Sequence, residues 1–351
     1  MFLTCGHVIT ALLLVLNAPR SEPGRLAAMA YDVTTRRLIG NTALEVTALG
    51  LGGAHLAPRL HHDGAAARPT VGDSDALIRR AFEHGLRYID TAPLYGLGES
   101  ERRFREPVAS VPRDELVIST KVGRILDDSP RGWHFDFSRD AVLRSVEGSL
   151  ERLGLDRIDI LYIHDPDDQW ERAIGEAFPA LADLRAQGVV SAIGAGMNQW
   201  EMELRFAREG AFDCFLLAGR YTLLEQEALR EFLPYCQANG ISVVIGGPYN
   251  SGILASDLGE GAMYNYRQAP PEMLERARRI KAVCDRYGAP MKAAALQFVL
   301  AHPAVAAAIP GAQNAAEVDE NVAIANVPLP AALWAELRAE GLIEAEAPIP
   351  G

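Results

Sequence analysis

Four side chains in this sequence could together move a proton to or from an oxygen. Asp90 ends the apolar run of "RYIDTAPLYGLGESE" and Tyr95 follows it one short loop later; Lys121 ends "VISTKVGR" and His164 ends the run of "LYIHDPD". Singly, each has an ordinary reading: Asp90 as a helix cap, Tyr95 as a loop cover, Lys121 as a paired loop cation, His164 as hydrogen-bonded structure. Jointly they have a task. A free tyrosine titrates near about pH 10 and is a poor base at neutrality unless a cation stabilises its phenolate. An ammonium about 4 Å away is worth up to about 4 kcal/mol at an effective dielectric near 20, which is nearly three pKa units. A lysine closing an apolar strand is costly unless paired, and Asp90 is the natural partner. Tyr95 would then exchange a proton with a carbonyl or alcohol oxygen while neutral His164 hydrogen-bonds the same atom. None of the four moves electrons, so a hydride carrier is required, and a nicotinamide cofactor is the first candidate.

For the four to meet, the chain must bring several strand ends together. Short apolar runs, "VTALGLGG", "YIDTA", "LVISTKV", "IDILYIHD", "VVSAIGAG", "CFLLAGR", "ISVVIGG" and "AVAAAIPG", alternate with helix-period stretches such as "SDALIRRAFEHG", "SRDAVLRSVEGSLERLG", "FPALADLRAQG" and "PEMLERARRIKAVCDRYG". Many of these stretches open on Ser, Asp or Pro and close on Gly, as helix ends do. Near-continuous apolar strands between helices imply parallel strands buried on both faces, and eight such units predict a (β/α)8 TIM barrel, an α/β fold. An open doubly wound sheet is the runner-up, yet no strand is followed by GxGxxG. "TTRRLIGNTALEV", with its "GN" turn, predicts an N-terminal hairpin, and "PAALWAELRAEGLI" an extra C-terminal helix packed across the outside. The longest irregular segment, "PYNSGILASDLGEGAMYNYRQAPP", follows the seventh strand, where a loop of that length is expected to be functional. Barrel chemistry sits at the C-terminal ends of the strands, which is where Asp90, Lys121 and His164 fall.

The chain has 351 residues, 49% of them hydrophobic and 23% charged, which suits one barrel domain with a large core. Its 34 basic and 46 acidic side chains leave a formal charge of −12 without any basic block, which argues against nucleic acid as a partner. Cys5, Cys214, Cys236 and Cys284 lie far apart with no metal-ligand spacing, so reduced, packed thiols and no metal are expected. "VITALLLVLNA" is apolar but too short to span a bilayer, and only His7 precedes it where a basic region belongs. Residues 1–29 are therefore expected to be a weak export signal or an upstream start, with the single domain at 30–351. The second is favoured because a nicotinamide cofactor is regenerated in the cytoplasm, the expected location. No membrane partner is expected.

"GLRYIDTAPLYGLGESE", "VISTKVGR", "LGLDRIDILYIHDPD", "AIGAGMNQW" and "IPGAQNAAEVDEN" resemble, in order and at comparable intervals, the motifs of the aldo-keto reductases. These are barrel oxidoreductases that bind NAD(P)H without a Rossmann fold. The resemblance implies that Asp90, Tyr95, Lys121 and His164 form a catalytic tetrad with Tyr95 as general acid/base. It implies further that Asn198 holds the nicotinamide carboxamide, that Ser251, Gly252 and Leu254 belong to the loop over the diphosphate, and that Glu320 and Asn321 meet the adenine. Plainer roles stay open for the outer positions: Asn198 as the cap of the helix beginning "QWEMELRFA", and Glu320 and Asn321 as helix surface.

Departures from the pattern are informative. Met197 stands where the family carries serine, Ala218 where it carries a carboxamide-binding glutamine, and Gly246 where a tyrosine stacks on nicotinamide, with Tyr249 as a candidate substitute. NADP-specific members carry Lys-Ser and a following arginine where this chain has Gly311, Ala312 and Glu317. A carboxylate facing a doubly charged 2′-phosphate costs about 1–3 kcal/mol in a partly screened setting, yet it can accept hydrogen bonds from a free ribose hydroxyl. NAD is therefore expected over NADP.

Within the family the sequence is most similar to the sugar dehydrogenase branch, which includes fucose and D-threo-aldose 1-dehydrogenases and a pyridoxal dehydrogenase. That implies a small-molecule partner, a sugar oxidised at C1 from hemiacetal to lactone. His55, at the end of the first strand, and Trp133 and Trp170, on loops after the third and fourth, are candidate pocket walls, with packing as the equal alternative. Two other functions stay open: a pyridoxal or general carbonyl oxidoreductase with the same four residues, and a non-catalytic barrel that binds nicotinamide nucleotide as a regulator.

Overall fold

The computed structural model describes residues 32–57 and 70–350, so the expected leader, residues 1–29, lies outside the described residues. Eight parallel strands pair in chain order: Leu51–Gly52, Tyr88–Asp90, Val117–Val122, Ile160–His164, Ala192–Met197, Cys214–Ala218, Ser242–Gly246 and Val305–Ile309. Bridges from Leu49 to Ala308 and from Gly52 to Gly311 join the first segment to the last and close the sheet into the expected barrel. The strands are buried on both faces because helices cover the outside and side chains fill the inside.

Local sequence accounts for the helix ends. Thr70 and Asp73 form a reciprocal capping box at the start of Val71–Glu83. Ser138 caps Arg139–Leu153, which ends at Gly154 in the left-handed conformation.

The N-terminal hairpin pairs Arg36–Leu38 with Glu45–Thr47. The expected "GN" turn is part of a longer connection, residues 39–44, with Gly40 at φ 56°. From this hairpin, Ile39 and Val46 join Tyr88, Val117, Ile160, Tyr162, Cys214, Leu216 and Val244 in the cluster that fills the barrel interior. The hairpin therefore plugs the barrel at the end opposite the strand C-termini.

Between the seventh and eighth strands there are two helices rather than one. Pro271–Arg286, legible by its period, packs on Met291–Leu300 and on the extra C-terminal helix Ala331–Ala339. Met291–Leu300 is the one that lies on the eighth strand, and all of it except Lys292 is buried. Its nearly uniform apolar sequence has no polar face, so it shows no helical period. The long segment after the seventh strand folds into short 3-10 turns at Asn250–Ala255 and a small hairpin, Met263–Tyr264 with Arg267–Gln268. A second small hairpin, Arg124–Leu126 with Trp133–Phe135, follows the third strand. No helix among the described residues is long and apolar enough to cross a membrane.

Candidate active site

The alternation of side chains along a strand sets the site. Residues two apart point to the same face, so Tyr88 and Asp90, Ser119 and Lys121, and Tyr162 and His164 are three pairs directed at the barrel interior. The lower member of each pair packs in the core, and the upper member, at the strand's C-terminal end, reaches the mouth. Parallel register completes the arrangement: Asp90 lies opposite Ser119, Lys121 opposite Tyr162, and His164 opposite Gly196.

Lys121 and Asp90 are both buried and fully engaged. The Lys121 Nζ donates to Asp90 Oδ2 at 2.7 Å, to Asp90 Oδ1 at 2.9 Å and to the Thr91 carbonyl at 2.9 Å. Ser119 Oγ donates to Asp90 Oδ1 at 2.7 Å. Tyr95, on a turn whose backbone N–H bonds the Ala92 carbonyl, brings its ring centroid to 4.8 Å from the Lys121 ammonium. The His164 ring stands perpendicular to it at a centroid distance of 5.9 Å. The four residues singled out in the sequence thus converge on one patch.

Their protonation states differ in part from expectation. Burial disfavours the Lys121 charge, but Asp90 and then Tyr95 outweigh it, and the lysine pKa ends raised. Burial raises the Asp90 carboxyl, with Lys121 offsetting part of the rise. For Tyr95, burial pushes the phenol up to about 12 against the pull of Lys121, and the Asp90 charge adds to the rise. The expected net lowering is therefore reversed, and Tyr95 holds its proton at neutral pH. Burial, then Lys121, then Arg124 push His164 well below the usual histidine range, so the imidazole is neutral. Its Nδ1 is buried without a hydrogen-bond partner among the described residues. A phenolic donor and a neutral imidazole beside one fixed ammonium can polarise a carbonyl oxygen and deliver a proton to it.

Two residues of the site carry no role in the sequence reading. Arg124 follows the third strand and donates from Nη2 to Asp165 Oδ2 at 2.7 Å, immediately beyond His164. Asp165 sits at φ 39°, a strained conformation for a non-glycine residue. Both stand inside the motifs "KVGR" and "HDPD", directly after strand ends; that position is the signal that points to them.

The outer positions form a strip along the fifth, seventh and eighth strand ends. Asn198 donates from Nδ2 to the Ala218 carbonyl at 2.6 Å, and the helix Trp200–Glu209 has no side-chain cap, so Asn198 is not acting as one. Ala218 and Gly246 are register partners, leaving a floor without large side chains beside Asn198. Asn250, Ser251 and Gly252 run in the left-handed region at φ 47°, 58° and 98°. Leu254 is fully buried and anchors this loop from below. Tyr249 donates to Asn321 Oδ1 at 2.9 Å, so the candidate stacking ring belongs to the Asn321 end of the strip. Glu320 is ion-paired to Lys292 at 2.6 Å. Asn314 caps the helix Ala315–Ala325, its Oδ1 accepting the Glu317 N–H, and Glu317 Oε2 reaches back to accept the Gln313 N–H at 3.0 Å. Gly311 adjoins His55: a Cβ there would lie 2.0 Å from His55 Nδ1. His55 is thereby placed against the eighth-strand end.

Of the two readings open for the tryptophans, pocket wall and loop packing, their burial fits packing. Trp170 is buried against Phe206, ring centroids 4.9 Å apart, with the Arg205 guanidinium 3.8 Å from its indole. Packing on the helix Trp200–Glu209, after the fifth strand, accounts for it. Trp133 is also buried, between Arg131 at 3.6 Å and Arg124 at 4.6 Å. It therefore stiffens the hairpin that carries Arg124 instead of offering an exposed face.

A closed parallel barrel with a buried lysine–carboxylate pair, a phenol and a neutral imidazole at its mouth defines a barrel oxidoreductase. The chain belongs to the aldo/keto reductase family, whose model matches residues 48–340. That family uses nicotinamide cofactors, NAD(P)H. The chain is 40% identical to D-threo-aldose 1-dehydrogenase of Pseudomonas sp over 323 residues, covering 86% of this chain and 95% of that protein. It is 38% identical to pyridoxal 4-dehydrogenase of Microbacterium luteolum over 348 residues, covering 90% of this chain and all of that protein. Among solved structures it is similar to the aldo-keto reductase AKR11C1 from Bacillus halodurans (holo form), with a TM-score of 0.73, 26% identity, and coverage of 89% of this chain and 97% of that one.

Proposed function

We propose that this protein is an NAD-dependent aldose 1-dehydrogenase in which Tyr95 exchanges the proton of the sugar's anomeric hydroxyl. The observation that carries the reading is the convergence of Lys121, Asp90, Tyr95 and His164 at the barrel mouth, in a chain 40% identical to an aldose 1-dehydrogenase.

The residues present fit a nicotinamide dinucleotide. Ala218 and Gly246, register partners at the ends of the sixth and seventh strands, set no large side chain next to the fixed amide of Asn198. In this reading Asn198 holds the carboxamide, Ser251 and Gly252 the diphosphate, and Glu320 and Asn321 the adenine, with Leu254 supporting the loop. Glu317 beside Gly311 and Ala312 sets a negative charge where a 2′-phosphate would need cations, which supports NAD. When bound, the cofactor accepts the hydride that leaves the sugar C1.

The protein's own part is the proton. In oxidation, the Tyr95 phenolate takes the hydroxyl proton, the C1–O bond becomes a carbonyl and the product is a lactone. In reduction, the neutral phenol returns that proton. Lys121 stabilises the phenolate, Asp90 fixes Lys121, and His164, neutral by burial, donates a hydrogen bond to the reacting oxygen.

A second reading, oxidation of pyridoxal by the same four residues, is favoured by the 38% identity to pyridoxal 4-dehydrogenase over that protein's full length. The deciding experiment follows reduction of NAD and NADP with L-fucose, D-arabinose, L-galactose, L-xylose and pyridoxal. Turnover of an aldose with NAD supports the proposal, and turnover of pyridoxal alone supports the second reading. NADH binding without turnover of any of the five would sink both and leave a regulatory barrel.

A further inference from the structure

Beneath Asp90 the barrel interior holds a line of hydroxyl groups where a barrel core is ordinarily aliphatic. Ser119 Oγ lies 2.7 Å from Asp90 Oδ1, Tyr88 Oη 3.2 Å from Ser119 Oγ, Tyr162 Oη 3.3 Å from Tyr88 Oη, and Cys214 Sγ 3.6 Å from Tyr162 Oη. Ser119, Tyr88, Tyr162 and Cys214 are all fully buried. Space for the rings is made by glycines: a Cβ on Gly194 would come within 2.7 Å of the Tyr162 ring, and one on Gly50 within 2.9 Å of the Tyr88 ring.

The order of donors follows from the charged end, where the Ser119 hydroxyl meets Asp90 at 2.7 Å and the Ile89 carbonyl only at 3.4 Å. Asp90 accepts the Lys121 ammonium on both oxygens, so it is an acceptor and Ser119 must donate to it. A serine hydroxyl has one hydrogen; having given it to Asp90, Ser119 can only accept from Tyr88. Tyr88 has then spent its own hydrogen and accepts from Tyr162, which in turn accepts from the Cys214 thiol. Burial keeps both phenols and the thiol protonated, and the Asp90 charge adds to this at Tyr88. Ser119 thus donates to the carboxylate and each group behind it donates to the next, and hydrogen bonds in such a chain polarise one another.

We propose that Ser119, Tyr88 and Tyr162, backed by Cys214, are positioning residues: a one-way chain of donors that holds the Asp90 carboxylate charged and oriented toward Lys121. This deepens, and rests on, the reading of Asp90 and Lys121 as parts of the proton machinery. The other ionisable groups facing Asp90 are Lys121 from the third strand and Tyr95 from its own loop. Leu51 and Gly52 of the first strand carry none. Glu101, on the helix Glu99–Ala109, turns instead to Thr120 and Arg152.

The test uses the full chain with its aspartate carboxyl carbons labelled and Asp90 assigned by Asp90→Asn. Carboxyl titration by NMR is followed in the wild type and in Ser119→Ala, Tyr88→Phe and Tyr162→Phe. Losing the charge-assisted bond in Ser119→Ala should raise the Asp90 midpoint by about one pH unit. Tyr88→Phe should raise it less and Tyr162→Phe least, with NADH affinity changed by less than about twofold throughout. Equal midpoints in Ser119→Ala and wild type, or shifts with no gradient along the chain, would overturn the proposal in favour of simple packing. Should Ser119→Ala not fold, Tyr88→Phe, which keeps its ring, decides by the same criterion. Because the titration needs no turnover, it separates the two readings. A shifted Asp90 midpoint with an unmoved acid limb in the pH profile of sugar or pyridoxal oxidation would uphold the chain and remove Asp90 from the proton machinery.

Discussion

The Tyr95 ring meets His164 at a right angle, centroids 5.9 Å apart, so the phenol and the imidazole edge approach the same space, one from the loop after the second strand and the other from the end of the fourth. An oxygen placed there can receive a hydrogen bond from each. Removing only the Tyr95 hydroxyl, in Tyr95→Phe, should lower turnover by about 10²- to 10⁴-fold, the usual worth of a general acid. Nucleotide binding, followed by NADH fluorescence, should be unchanged. Retention of most of the rate would show that another group carries the proton.

With the Tyr95 phenol pushed up to about 12 by burial, the protonated form dominates at neutrality. Oxidation needs the deprotonated form, so its rate at saturating NAD should climb with pH by up to about tenfold per unit while the phenol remains mostly protonated. Reduction starts from the form already populated and should be flat over the same range. His164, neutral throughout, should add no inflection between about pH 5 and 8. Initial rates in both directions across a buffer series check all three statements.

Lys121→Met leaves the Asp90 carboxylate buried without its cation, and breaking a buried pair in this way costs about 3–5 kcal/mol. The double variant Lys121→Met with Asp90→Asn should recover much of that loss while remaining inactive. Urea denaturation of the two variants would reveal whether the cost belongs to the orphaned charge or to lost packing.

Away from the mouth, His302 is buried, accepts the Ala304 N–H on Nδ1 at 3.1 Å, and is pushed down to about 4 by burial. The unfolded chain binds a proton on this side chain below about pH 6.5, whereas the folded protein does not until about pH 4. The stability associated with neutral His302 is therefore full above about pH 6.5 and is lost as pH falls toward about 4, by at most about 3 kcal/mol. In His302→Gln the fall in denaturation midpoint between those two pH values should be correspondingly smaller.

Gly311 has no room for a methyl group, because a Cβ would lie 2.0 Å from His55 Nδ1. Gly311→Ala should weaken nucleotide binding by displacing His55, and adding His55→Ala should restore it. Calorimetric titration with NADH checks the rescue. Glu317→Arg, in the first turn of the following helix, should raise NADP use relative to NAD by about tenfold or more. It should also cost about 1 kcal/mol of stability, since the Glu317 carboxylate accepts the Gln313 N–H ahead of the helix and lies in its first turn.

What the sequence by itself determined is whatever follows from local patterning: the eight apolar runs, the hairpin, the extra C-terminal helix, and the placement of Asp90, Lys121 and His164 at successive strand ends. Period-two alternation and cap residues are short-range properties, so they are legible without coordinates. Met291–Leu300 escaped because a helix buried nearly all round carries no period, and for Trp133 and Trp170 pocket wall and loop packing stayed level because burial depends on neighbours distant in sequence, such as Phe206. Only the tertiary structure decided the protonation of Tyr95, where burial and the Asp90 charge outweigh the lysine, and the pairing of Arg124 with Asp165. It alone, too, set the line of hydroxyls from Cys214 to Asp90. Desolvation and hydrogen-bond direction are sums over atoms contributed by several strands, and no window of a single chain segment contains those sums.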